Sequence, residues 1–389
     1  MPIRVGHSLP AYTINSWFIP EVVNMKPRVG KALLVLVILI IALLLLTTSQ
    51  RPREPVNVAA HPIGPPVVIL APLGLPPVPV PPDNPPTTET IALGRQLYYD
   101  PVLSADHSIS CATCHHPDKG FADARQFSEG VQGKLGSRNS PTVLNSAYYE
   151  AQFWDGRAAS LEKQAEGPVQ NPVEMAHTLT GVEQRLNADR AYRELFKKAF
   201  GPARITYDMV EKAIATFERS VISGNSPFDR WYFGKDKTAL SAAAQRGFEV
   251  FRDPKKGNCA VCHSVDEKSA LFTDNKFHNI GVGATADSIK DLGRYEVTKQ
   301  DRDRGAFKTP SLRNIAQTAP YFHDGSRRTL KEVIDFYIGG GNSNAYLDPQ
   351  IHALDFLSGQ ERADLLAFLE SLTGEVPAST LAPEKIARR

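Results

Sequence analysis

Two short segments carry the reactive side chains. Cys111-Ala112-Thr113-Cys114-His115 and Cys259-Ala260-Val261-Cys262-His263 together use all four cysteines of the 389-residue chain. The thiols of a C-x-x-C pair can add to the two vinyl groups of one porphyrin, and a histidine placed next brings an imidazole onto the iron. Each segment therefore reads as a covalent haem c attachment site. A zinc ribbon would need its two C-x-x-C knuckles near one another, whereas Cys111 and Cys259 lie 148 residues apart. A thioredoxin-like dithiol explains neither the second copy nor the repeated histidine. The chemistry expected is that of two haems, with no cysteine left over for a disulfide.

Helices must position these motifs. Thr88 to Tyr99 carries Ile91, Leu93, Leu97 and Tyr98 on an apolar face, and Ser241 to Phe251 repeats the pattern with Ala244, Phe248 and Phe251. Each C-x-x-C-H thus follows a helix and a short loop. Thr329 with Glu332 opens another helix, in which Leu330, Val333, Ile334 and Tyr337 share one face before Gly339-Gly340-Gly341 ends it. Ser358-Gly359-Gln360-Glu361 is a capping box opening a helix through Leu365, Leu366, Phe368, Leu369 and Leu372, stopped by Gly374. Strand signals are few, so the fold class is mainly α.

The N-terminal part has a different character. Ala32 to Leu46 is an unbroken apolar run preceded by Lys26, Arg28 and Lys31. No small-x-small cleavage site follows it, which favours an uncleaved anchor over a removed signal peptide. The expected order is a cytoplasmic segment over 1–31, a membrane anchor or signal segment over 32–50, and a proline-rich linker over 51–86. Met25 is an alternative start. In the linker 13 of 36 residues are proline, a composition that favours extended backbone and reads as a stalk. The rest suits two domains, one per haem motif, over 87–238 and 239–389. Haem c attachment belongs outside the bacterial cytoplasm, so the expected place is the periplasm, tethered to the inner membrane or soluble after signal cleavage. A net charge of +2 points to no polyanion, and no nucleic-acid-binding pattern is present.

The chain resembles the bacterial dihaem cytochrome c peroxidases and their relative MauG. The resemblance runs from about Pro76 to Gly374 and rests on motifs in order: Leu93-Gly94-Arg95 with Leu103-Ser104, Arg138-Asn139-Ser140-Pro141-Thr142, Phe153-Trp154-Asp155-Gly156-Arg157, Gly167-Pro168-Val169-Gln170, Pro310-Ser311-Leu312-Arg313-Asn314, and Thr318-Ala319-Pro320-Tyr321-Phe322-His323-Asp324-Gly325. It implies two cytochrome c-like helical domains, one haem in each, with a calcium ion between them. Carried across by position, His115 is the proximal ligand of the peroxide-reacting haem and His263 that of the electron-transfer haem. Trp154 matches the tryptophan between the haems, Glu174 the distal-pocket acid with Gln164 its neighbour, and Asn139, Thr318 and Pro320 the calcium ligands. By residue type alone, an isolated tryptophan is more often core, a loop glutamate solvated, and an asparagine before Ser-Pro a turn former.

Two positions depart from the classical peroxidases. Where many of them close the first haem with a distal histidine, this chain has Val131, which cannot ligate iron, so the first haem is expected to be open to peroxide. The classical methionine of the second haem is also missing, since the methionines are Met1, Met25, Met175 and Met209. Tyr337 aligns with that ligand and matches the His/Tyr haem of MauG, with an ordinary core tyrosine as the plain alternative and His278, His323 and His352 as rival ligands. A hard phenolate oxygen favours the higher oxidation states of iron. The reading is an enzyme that reduces hydrogen peroxide and oxidises a small periplasmic donor, a cytochrome c or cupredoxin, or a protein substrate as MauG does. A non-enzymatic dihaem carrier and a peroxide or redox sensor are the competing readings. An acid–base group above a vacant iron argues against a pure carrier.

Overall fold

A computed structural model describes residues 34–42 and 60–383. Residues 34–42 are helical with exposed side chains. The rest of the expected anchor, the segment 1–31 and residues 51–59 lie outside the described residues. No described helix is long and apolar enough to cross a membrane.

The unit from Ala59 onward is mainly helical and is built from two halves that repeat one packing device. In the first half the helices are α1 (Thr88–Tyr99), α2 (Leu161–Gln170), α3 (Leu179–Ala188), α4 (Arg190–Phe200) and α5 (Tyr207–Ser220). In the second they are α6 (Pro227–Tyr232), α7 (Ala242–Arg252), α8 (Leu330–Ile338) and α9 (Gly359–Glu370). In each half one helix has a central glycine that lies against the last helix of that half. A Cβ on Gly94 of α1 would meet the Ala213 carbonyl oxygen at 1.9 Å and Phe217 Cβ at 2.8 Å on α5. A Cβ on Gly247 of α7 would meet the Asp364 carbonyl oxygen at 1.9 Å and Phe368 Cβ at 2.9 Å on α9. The two backbones touch at these points, which only a residue without a side chain permits.

Around each crossing lies an apolar core. The first contains Leu93, Leu97, Phe196 and Val210. The second is dominated by aromatic rings, with Phe228 packed 5.0 Å from Phe248 and 5.5 Å from both Phe272 and Phe368. Such pairs add about 0.5–1.5 kcal/mol each beyond the area they bury. Capping defines the helix ends: Thr87 caps α1, Ser241 caps α7, Thr329 caps α8 and Ser358 caps α9. The last helix stops at Glu370, capped at Ser371, short of the Leu372 and Gly374 expected from sequence.

Among the described residues the only sheet is a two-residue ribbon, Phe277–His278 antiparallel to Phe307–Lys308. Lys308 N–H donates to the Trp154 carbonyl at 2.8 Å, so this ribbon of the second half docks onto the first. A bidentate ion pair from Arg138 to Asp291 joins the halves nearby.

From residue 60 on, the proline-rich segment is not a stalk. It lies on the body as a strap. Ile63 N–H donates to the Ala199 carbonyl, Lys212 Nζ to the Ala60 carbonyl, and Asn84 Nδ2 to Glu162. At its middle, the Gly74 carbonyl accepts from Arg313 Nη2 at 2.7 Å, while Arg313 forms a buried ion pair with Asp229 at 2.9 Å. Extended backbone has unpaired polar groups that water or a protein surface must satisfy, and here the surface does so.

Candidate functional site: two haem c cavities with a shared wall

Each C-x-x-C-H segment opens on its own cavity. Cys111 and Cys114 sit on a single helical turn, Cys111–Cys114, capped by Ser110. They line the first cavity with His115, and Cys259, Cys262 and His263 line the second. All four cysteines are free. His115 Nδ1 lies 2.9 Å from the Pro141 carbonyl and His263 Nδ1 lies 2.8 Å from the Phe272 carbonyl. A carbonyl can only accept, so both rings carry the proton on Nδ1 and present the Nε2 lone pair to the cavity. Burial lowers the pKa of both imidazoles, which keeps them neutral and able to bind a metal. Two thiols and an oriented imidazole at each apolar-walled cavity fit a covalently bound haem c.

The first cavity also carries Gln164, Pro168 and Glu174 on its wall. Gln164 and Pro168 are one turn apart on α2 and so share a face. Glu174 sits in the turn that follows, where Asn171 Nδ2 donates to its Oε1 at 2.6 Å. Burial raises the Glu174 carboxyl above the usual carboxylate range, against the Asn171 hydrogen bond and the charge of Arg157. Val131 is not on this wall. Its side chain is 3 % exposed and packs in the first core with Val169 and Met175. Its N–H donates to the Glu174 carbonyl at 2.8 Å.

In the second cavity the face of α8 expected to be buried, with Leu330, Val333, Ile334 and Tyr337, forms part of the wall. The Tyr337 hydroxyl has no protein hydrogen-bond partner among those described, unlike an ordinary core tyrosine. Burial, and then the nearby cysteine sulfurs, push its pKa well up. The rival histidines also reach this cavity. His278 has both ring nitrogens engaged, Nδ1 with Asp348 at 2.6 Å and Nε2 with Asp274 at 3.0 Å. His323 is stacked on Phe307 at 3.6 Å, and burial lowers it to about 4. His352 is exposed, its Nδ1 turned to the Gln350 carbonyl.

Trp154, His323 and the segment Asn139, Pro141, Thr142 line both cavities and form the wall between them. Trp154 Nε1–H donates to the Asn139 carbonyl at 2.8 Å, and Asn139 N–H donates to the His323 carbonyl at 2.7 Å. Thr318 and Pro320 lie on the second cavity with Asn139. The trio offers neutral oxygens, of a kind that suits calcium.

Several residues here escaped the sequence reading. Lys308 is buried on the second cavity, with Nζ 2.7 Å from the Ala151 carbonyl and 3.6 Å from the Tyr149 ring centroid, and burial lowers it to about 7. Glu218, on the first cavity, is pushed up to about 8 by burial. Neither has a local motif. Asn171 had a signal, since Asn-Pro favours a turn, but nothing local tied that turn to Glu174.

Two haem c sites in one helical chain, with a shared tryptophan-bearing wall and a carboxyl on one cavity, define a dihaem c-type cytochrome of peroxidase build. Residues 88–237 match the family profile described as di-haem cytochrome c peroxidase, and residues 244–373 match that of cytochrome c. The chain is 42% identical over 302 residues to the methylamine utilization protein MauG of Methylophilus methylotrophus, covering 76% of this chain and 86% of that protein. It is 37% identical over 295 residues to the cytochrome c551 peroxidase of Nitrosomonas europaea, covering 76% and 83%. The crystal structure of a MauG-like protein associated with microbial copper homeostasis superposes with a TM-score of 0.71 at 34% identity, covering 81% of this chain and 97% of that one. The chain belongs to the di-haem cytochrome c peroxidase and MauG family: it is an oxidoreductase with two haem c groups that reduces hydrogen peroxide.

Proposed function

We propose that peroxide reacts at the His115 haem, that Glu174 is the acid–base group there, and that Tyr337 is the second protein ligand of the His263 haem. When bound, the haems supply an iron that peroxide can reach and a second iron that shares the oxidising equivalents. Glu174 Oε2 takes a proton from the near oxygen of peroxide and returns it to the far oxygen, which leaves as water. Gln164 lines the pocket beside it. Trp154 carries charge between the two sites across the shared wall. The observation that carries this reading is a half-buried carboxyl with a raised pKa on the same cavity as His115, where Val131 offers no competing ligand.

The oxidising equivalents are consumed by a small periplasmic electron donor, a cytochrome c or cupredoxin, or by a protein substrate. Asn139, Thr318 and Pro320 hold a calcium ion beside Trp154, and the chain is tethered to the inner membrane through residues 32–50. Mixing the diferric protein with peroxide in a stopped-flow spectrometer, with and without a candidate donor, tests the central claim. Rapid spectral change without prior reduction is expected. A need for pre-reduction would overturn the open first site.

A further inference from the structure

The acid–base role of Glu174 depends on which of its oxygens carries the proton. The terminal torsion of a glutamate is broad and roughly two-fold, so packing of the chain does not settle that choice. A hydrogen bond from outside can. We propose that Asn171 is a positioning residue that holds Glu174 Oε1 as a bare acceptor and leaves Oε2 as the oxygen that carries the proton toward the first haem cavity. This inference rests on the acid–base reading of Glu174 and adds to it the residue that orients the acid.

The geometry fixes Asn171 first. Its N–H donates to the Gly167 carbonyl and so caps the C-terminus of α2, and its carbonyl accepts from Glu174 N–H at 3.1 Å and Ala176 N–H at 2.9 Å. Its side-chain Oδ1 accepts from Val173 N–H at 3.1 Å. That bond decides the orientation of the amide, because a backbone N–H cannot be met by the NH₂ end. The NH₂ is then directed at Glu174 Oε1, 2.6 Å away. An oxygen that accepts this bond is poorly placed to carry a proton of its own. Oε2 has no protein partner among the described residues and remains for the cavity that Glu174 lines.

The backbone of the acid is held from the other side as well. Val131 N–H donates to the Glu174 carbonyl at 2.8 Å, and a Cβ on Gly130 would come within 2.1 Å of the Val173 carbonyl oxygen. These contacts hold the backbone of the turn, and the Asn171 amide selects the rotation of the carboxyl that it carries.

The test uses the two-haem protein and five variants: Asn171→Ala, Asn171→Asp, Glu174→Gln and the double variants Asn171→Ala/Glu174→Gln and Asn171→Asp/Glu174→Gln. Asn171→Asp keeps an oxygen for Val173 N–H and loses the donor, so it preserves the turn if the alanine variant does not fold. Asn171→Ala is expected to slow the peroxide reaction about tenfold, a fraction of the ~10²–10⁴ a positioned acid–base group supplies. It is expected to add no further loss in the Glu174→Gln background. Asn171→Asp should behave likewise in its own Glu174→Gln background. Infrared difference spectra on cyanide binding give an independent readout. The protonated-carboxyl band that disappears in Glu174→Gln should move to higher wavenumber in Asn171→Ala, because a carbonyl that loses its donor stiffens. An unmoved band, or an equal loss of rate with and without Glu174, would overturn the role of Asn171. An unchanged rate in Glu174→Gln would instead overturn the acid–base reading itself.

Discussion

If Glu174 is the acid–base group proposed above, its titration should be visible in the peroxide reaction. Glu174→Gln is expected to leave both haems attached and to lower the peroxide reaction by about 10² or more, measured by stopped flow. The carboxylate form accepts the proton, so the wild-type rate is lost as pH falls through the Glu174 pKa. Burial raises that pKa, so the acid limb should appear above the usual carboxylate range and vanish in Glu174→Gln. Trp154→Phe removes the Nε1–H bond to the Asn139 carbonyl. It should preserve peroxide cleavage while impairing charge sharing, seen as a spectral change confined to one haem. Tyr337→Phe deletes the oxygen that faces the second cavity and should change the spectrum of the His263 haem alone. Unchanged ligand-sensitive spectra would make the tyrosine mere lining. Electron paramagnetic resonance of the diferric protein should show one high-spin and one low-spin haem. Because Val131 packs among Val169 and Met175, Val131→His should not close the first site. It should instead cost about 1–3 kcal/mol of stability through overpacking.

The elements that present these residues depend on close helix crossings. Gly94→Ala and Gly247→Ala each place a methyl group 1.9 Å from a carbonyl oxygen of the facing helix, with no flexible side chain to yield. Each is expected to cost about 1–3 kcal/mol or more and to lower the melting temperature, followed through the absorbance of the haem in the affected half. Of these elements α1, α7, α8 and α9 were legible in the sequence, whereas α2 to α6 were not read from it. The caps of α8 and α9 follow from Thr329 and Ser358, because a cap is a bond between residues three apart. The strap was not. Proline content dictates extended backbone, but whether extended chain leaves the body or lies on it depends on Asp229, Arg313 and Lys212, which are remote in sequence.

At the scale of the whole molecule, segments remote in the chain meet through groups that none of them could satisfy alone. Arg313 and Asp229 are 1 % and 0 % exposed at their side chains, and Arg313 also donates to the strap at Gly74. Removing one partner leaves a buried charge unpaired, so Asp229→Ala should cost about 3–5 kcal/mol, measured by chemical denaturation. The sequence by itself determined the cofactor chemistry, since covalent attachment and the first iron ligand lie within a single pentapeptide at each site. It also determined the helical class, the helices α1, α7, α8 and α9 and, through motif order, the family. Only the tertiary structure decided that Trp154, Asn139 and His323 form one wall between two cavities, and that Val131 points into the core. It alone showed that the strap is clamped to the body and that the Asn171 amide donates to the carboxyl of Glu174. The physical reason is range. Propensity, capping and thioether attachment act between neighbours in the chain, whereas walls, ion pairs and the rotation of a half-buried carboxyl are set by groups that meet only when distant segments pack.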